Sequence, residues 1–160
     1  MSSKTIILYQ SRYGTTEKAA KLLAEKLYDE VEIINLKNNK NPSIDEYSNI
    51  IIGGSIRAAM IQSGIKKYIE KNMPVLLTKK VGLFLCCMEE GEKAEKQFQE
   101  SFPEELRTKA LVTGFFGGEF DFERMNFLEK SIIKKVSGVT EPLCNIKHQA
   151  IEDFAAGFNN

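Results

Sequence analysis

The sequence predicts an α/β fold, a three-layer sandwich with helices on both faces of a five-stranded parallel sheet. Strand-like and helix-like segments alternate along the chain, which is the signature of strand–helix–strand units. The opening strand carries the run Ile6-Ile7-Leu8, which suits a strand buried on both faces. No internal repeat, linker or low-complexity tract interrupts the chain, so residues 1–160 are expected to form a single domain.

Residues 4–10 read as the first strand. Helix 15–28 follows, with Ala19, Ala20, Leu23, Ala24 and Leu27 recurring at helical spacing. Residues 31–36 form the second strand, and polar residues 37–43, which include Pro42, form a loop. A helical turn is expected at 44–47. The most hydrophobic strand, 49–55, comes next. A helix beginning near Gln62 or Ser63 covers residues 66–71, and Pro74 ends or bends it. Residues 81–87 make the fourth strand, 89–101 a charged, exposed helix that stops before Pro103, and 110–116 the fifth strand. Helical patterns follow at 126–136 and 149–158.

The chain has 22 basic and 22 acidic residues, with 42% hydrophobic and 28% charged content, which is ordinary for a globular domain. Its zero net charge points neither to nucleic acid nor to an acidic ligand. No stretch approaches the roughly 18 apolar residues that span a bilayer. The chain starts on a strand rather than a secretory signal, so a cytoplasmic protein is expected. Three cysteines, two of them adjacent, make neither a disulfide framework nor a zinc site. Cys86 and Cys87 point to opposite faces of their strand and read as buried small hydrophobes, with redox-active thiols as the alternative. His148 reads as a surface residue without an assignable nucleophile.

Ligands of such sheets bind outside the carboxyl ends of the strands, where strand order reverses. That rule selects three loops, at 11–16, 55–63 and 88–91. The first has the chemistry of an anion cradle. A strand runs into a helix N-terminus, whose first N–H groups lack helical partners and whose dipole is positive. Ser11, Thr15 and Thr16 add hydroxyls, and Gly14 permits a tight turn. A simple helix cap by Thr15 or Thr16 is the plain alternative.

Ser11-Arg12-Tyr13-Gly14-Thr15-Thr16 resembles the flavodoxin phosphate loop, Ser/Thr-x-Thr-Gly-x-Thr, which wraps the 5′-phosphate of FMN. Tyr13 stands where flavodoxins usually carry threonine. Arg12, the run Gly53-Gly54-Ser55-Ile56-Arg57, and the tail from Gly117-Gly118 to the last helix at 151–158 resemble the flavodoxin-type, menaquinone-dependent protoporphyrinogen oxidases. The resemblance implies a flavodoxin-like sandwich that binds FMN through Ser11, Arg12, Tyr13, Gly14, Thr15 and Thr16. Gly54, Ser55, Ile56 and Arg57 are the implied contacts of the second loop, and Cys87, Met88, Glu89 and Gly91 those of the third. Arg57 is the candidate catalytic residue, placing charge near the reduced flavin or gripping a substrate carboxylate; a surface arginine is the plain alternative.

This chain has no tryptophan and no tyrosine in the third loop, whereas flavodoxins usually sandwich the ring between aromatics. Ile56, Met60 and Met88 are the apolar residues available to pack on the ring. Three functions stay open: an enzyme passing electrons from a reduced tetrapyrrole or another small donor to a quinone, a one-electron carrier between redox partner proteins, and a binding module without FMN. Zero net charge weighs against the carrier, because soluble flavodoxins are typically strongly acidic. Residues 119–138 combine apolar positions with Arg124, Lys130, Lys134 and Lys135, a pattern that either covers the sheet or docks at the inner face of a membrane.

Overall fold

The computed structural model describes residues 3–11, 14–57, 59–120 and 143–160. The chain runs through β1 (Lys4–Tyr9), α1 (Thr15–Lys26), β2 (Glu30–Asn35), β3 (Asn49–Arg57), β4 (Met60–Ile61), α2 (Ser63–Leu76) and β5 (Lys80–Cys86). It continues through α3 (Gly91–Ser101), α4 (Glu104–Lys109), β6 (Val112–Phe115), β7 (Gly117–Phe120), β8 (Leu143–Ile146) and α5 (His148–Phe158).

Five strands lie in the order β2-β1-β3-β5-β6, with every neighbouring pair parallel. The chain steps outward from β1 to β2, then crosses back to place β3 on the other side of β1. Strand order therefore reverses between β1 and β3, and the crevice above their carboxyl ends is the place such a sheet offers a ligand.

Period-two alternation feeds two cores. Leu8, Ile50, Ile52 and Leu83 face the layer containing Ile65 and Tyr68 of α2 and Phe98 of α3. Ile7, Ile51 and Phe84 face Leu23 of α1 and Phe154 and Phe158 of α5. Phe84 stacks on Phe116 at 4.6 Å and meets Phe154 edge-on at 6.3 Å. Its ring lies so close to β3 that a Cβ at Gly53 would come 2.0 Å from Phe84 Cζ. Glycine is required there by the ring.

The structure corrects several expected boundaries. Helix α2 continues two residues past Pro74, with Leu77 N–H still donating to Met73 O at 3.0 Å. Helix α3 is less exposed than expected, because Ala94, Phe98 and Ser101 fall at i, i+4 and i+7 and bury one stripe. The expected strand at 110–116 is shorter, and the six-residue helix α4 precedes it. Strands β7 and β8 form a separate antiparallel ribbon. The helical pattern at 126–136, and all but the first two positions of the apolar and basic segment 119–138, lie outside the described residues.

Candidate functional site

The crevice begins at the end of β1. Ser11 is buried, and its Oγ accepts a hydrogen bond from Gly14 N at 2.9 Å, which folds the loop back onto itself. Gly14 has φ of 94°, in the left-handed region that glycine enters without a Cβ penalty, and stands immediately before α1. Thr15 and Thr16 open that helix and are buried. No side chain caps its N-terminus. The Thr16 hydroxyl is fully buried and among the described residues has no nitrogen or oxygen partner, only the weakly bonding thiol of Cys86 beside it, a costly arrangement for a group that both donates and accepts. Arg12 and Tyr13 lie outside the described residues.

The polar group beside Thr16 is the thiol of Cys86, at the end of β5. Burial pushes this thiol up to about 12; the Thr16 hydroxyl acts in the opposite direction, and neighbouring Cys87 adds to the rise. The adjacent thiols divide between the layers, Cys86 in the core under α1 and α5 and Cys87 in the core under α2 and α3. Burial also raises Cys87, partly countered by its contact with Glu89 O at 3.7 Å and by the charge of Lys147. Both are buried thiols held protonated at neutral pH, as expected of small core residues.

The segment expected to be a loop at 55–63 is instead a hairpin. β3 runs on to Arg57, and β4 turns back against it with Arg57 opposite Met60 and Ile56 opposite Ile61. Ala59 in the turn has φ of 65°, unusual for a residue with a side chain. Gly54 is tightly covered, since a Cβ there would lie 2.8 Å from Gln62 Oε1 and from Ile61 Cδ1. Ser55 N–H donates to Gln62 Oε1 at 3.0 Å, and Gln62 Nε2 donates to Ser55 Oγ at 2.7 Å. The Ser55 amide is therefore already committed within the protein and is not a free donor for a ring edge. Ile56 is half-buried against the core, while Met60 is 59% exposed. Arg57 is placed by its strand; its side chain lies outside the description.

The third segment closes the crevice. Met88 is half-buried and packs on the β7–β8 ribbon, where a Cβ at Gly118 would sit 2.8 Å from Met88 Sδ. Glu89 is exposed, and Gly91 has φ of 63° with open space around it. Lys147 pairs with Glu90 at 2.9 Å and holds that carboxyl below the ordinary range. Between the first two segments lies Gln10, whose Oε1 is buried without a hydrogen-bond partner and faces Gly64 in the first turn of α2.

A family model described as a flavodoxin domain matches residues 6–142. The chain belongs to the flavodoxin domain family. Among solved structures, oxidised Flavodoxin 1 from Bacillus cereus is similar with a TM-score of 0.63 at 19% identity, covering 98% of this chain and 97% of that one. Two-electron reduced flavodoxin from Megasphaera elsdenii gives 0.57 at 18% identity, covering 98% and 99%. Likeness at this identity concerns the fold. Protoporphyrinogen IX dehydrogenase (quinone) of Leishmania major is 20% identical over 148 residues, which is 87% of this chain and 64% of that protein. The Escherichia coli protein of the same name is 29% identical over 72 residues, 43% of this chain and 40% of that one. The chain thus spans less than two thirds of the length of these curated relatives.

Within this flavodoxin fold, the strand reversal brings together the segments holding Ser11, Gly14, Thr15 and Thr16, those holding Gly54, Ser55, Ile56 and Arg57, and those holding Cys87, Met88, Glu89 and Gly91. Gln10 and Gln62 were not expected. Neither has a spacing signal, because the tertiary fold alone brings Gln62 to Ser55 and Gln10 against Gly64. Among the described residues, no helix is long and apolar enough to cross a membrane, and no cluster of His, Cys, Asp and Glu could hold a metal ion.

Proposed function

We propose that this flavodoxin-family chain, acting as one domain over residues 1–160, binds FMN above the β1/β3 reversal and transfers electrons through it. The observation that carries the reading is the buried Thr16 hydroxyl, without a nitrogen or oxygen partner among the described residues, at an uncapped helix N-terminus beside Gly14 in the left-handed region. That arrangement fits a phosphate, which supplies the missing acceptor and meets a positive helix end. FMN is the cofactor that fits this family, and the flavin supplies the redox chemistry when bound.

The residues have distinct tasks. Backbone N–H groups and the hydroxyls of Thr15 and Thr16 hold the phosphate, while Ser11 keeps the loop closed through Gly14. Ile56, Met60 and Met88 offer apolar surface in place of an aromatic sandwich. Arg57, at the hairpin end of β3, is the candidate catalytic residue, its charge serving the reduced flavin or a substrate carboxylate.

For the acceptor, a quinone is the reading we favour, with a reduced tetrapyrrole or another small donor supplying the electrons. The two similar proteins named as quinone-linked protoporphyrinogen dehydrogenases support it, as do the zero net charge and the exposed Met60 at the hairpin. Anaerobic turnover of protoporphyrinogen with menadione tests this reading. Acceptor reduction in proportion to bound FMN is expected. Loaded protein that gives no turnover, yet exchanges electrons rapidly with a flavodoxin reductase, would establish the carrier alternative. Peripheral contact with an anionic membrane is the companion proposal, and charge reversal at Lys134 and Lys135 should reduce liposome association.

A further inference from the structure

Extending the hairpin register by one rung pairs Ser55 with Gln62, because Arg57 faces Met60 and Ile56 faces Ile61. At Gln62 the main chain has already turned away to cap α2, with φ of −57° and ψ of 139°. Its side-chain carboxamide takes the place of the missing peptide group, accepting from Ser55 N at 3.0 Å and donating to Ser55 Oγ at 2.7 Å. Gly54 makes room for the amide, since a Cβ there would approach Gln62 Oε1 to 2.8 Å.

This side-chain rung has a consequence for the segment above it. In a hairpin closed by two residues, the closing pair exchanges hydrogen bonds and the next pair does not. Arg57 and Met60 therefore bond, whereas the N–H and C=O of Ile56 point away from Ile61. On its other side β3 reaches its last rung with β5, which pairs Ser55 with Cys86. In a parallel pair that rung is made by the residues flanking Ser55, so the Ile56 N–H is directed at the Cys86 C=O, and the Ile56 C=O, past this rung, is the main-chain acceptor left between the hairpin rungs. Because Ser55 Oγ accepts from Gln62, its own O–H remains available as a donor.

We infer that Gln62 is a positioning residue for the flavin ring: it fixes Ser55 and Ile56 so that the Ser55 hydroxyl and the Ile56 carbonyl face the cofactor. The inference rests on the FMN reading above and deepens it. Gln62→Leu removes both hydrogen bonds while keeping an apolar side chain of similar reach. Gln62→Glu keeps an acceptor for Ser55 N–H and lets the Ser55 hydroxyl donate to the second oxygen.

Two measurements on the full chain test this. Hydrogen exchange on the FMN-free protein should show Ser55 losing protection by roughly tenfold or more in Gln62→Leu while the β5 amides hold theirs, as expected when a local bond opens without global unfolding. FMN titration should show the dissociation constant rising roughly tenfold, with a changed flavin visible band, while competition by inorganic phosphate stays the same. Gln62→Glu should keep Ser55 N–H protection within about threefold of wild type while binding FMN more weakly, because its carboxylate takes the Ser55 hydroxyl as a donor. Faster Ser55 exchange with unchanged FMN affinity and spectrum would overturn the inference and leave only a structural clamp. Wild-type protein that binds no FMN would instead overturn the functional reading, and this inference with it, whatever the exchange rates.

Discussion

Replacing Thr16 with valine should move two measurable quantities in opposite directions. Valine has nearly the shape of threonine and a similar helix propensity, so the change removes the hydroxyl and little else. In the FMN-free protein that hydroxyl is fully buried and has no nitrogen or oxygen partner among the described residues. An orphaned buried polar group costs about 1–3 kcal/mol. The thiol of Cys86 beside it is a weak donor and acceptor, which places the expected gain near 1–2 kcal/mol. With a urea slope of about 2 kcal/mol per molar, the unfolding midpoint of the FMN-free variant should rise by about 0.5–1 M. FMN binding should weaken, because a hydrogen bond to a charged phosphate contributes about 1.5–3 kcal/mol, or roughly 10- to 150-fold in affinity. Circular dichroism in urea and flavin fluorescence titration measure the two effects. A destabilised variant, or one that binds FMN as tightly as wild type, would refute the assignment of Thr16 to the phosphate.

Gly53→Ala should lose about 3 kcal/mol or more, because its Cβ would meet Phe84 at 2.0 Å and displace a ring stacked on Phe116 and edged by Phe154. Adding Phe84→Leu should recover part of the loss, and strictly additive urea midpoints for the pair would contradict the proposed clash. The Cys86 thiol is raised from an ordinary 9.0 to about 12, so the folded chain holds that proton more tightly than the unfolded chain. Its contribution to stability is complete below about pH 9 and is lost as pH rises toward 12. Wild type should therefore lose stability more steeply than Cys86→Ala between pH 8.5 and 10.5, by the order of 1 kcal/mol, and parallel pH profiles would count against the burial of that thiol.

The sheet was legible in the sequence because strands that are buried on both faces must be apolar runs, and those runs appear at Ile6-Ile7-Leu8 and Ile50-Ile51-Ile52. The opposite placement of Cys86 and Cys87 followed from period two alone. The proposed cradle rests on local chemistry, since Ser11, Gly14, Thr15 and Thr16 lie together in the chain. What escaped was tertiary. Helix α4 is only six residues long, and the β7–β8 ribbon pairs segments far apart in sequence. The hairpin at Arg57 and Met60 turns through residues with no glycine or asparagine, so no turn signal marked it. Gln62 resembled any polar residue before a helix until Ser55 was brought opposite it.

Titration of the flavin-free chain with FMN and, separately, with riboflavin tests the central claim most directly. A phosphate cradle at Ser11, Gly14, Thr15 and Thr16 predicts one FMN per chain and riboflavin binding at least roughly tenfold weaker, since the two ligands differ only in the group that the helix end and the Thr16 hydroxyl receive. Equal affinity for both ligands, or no binding of FMN, would contradict it.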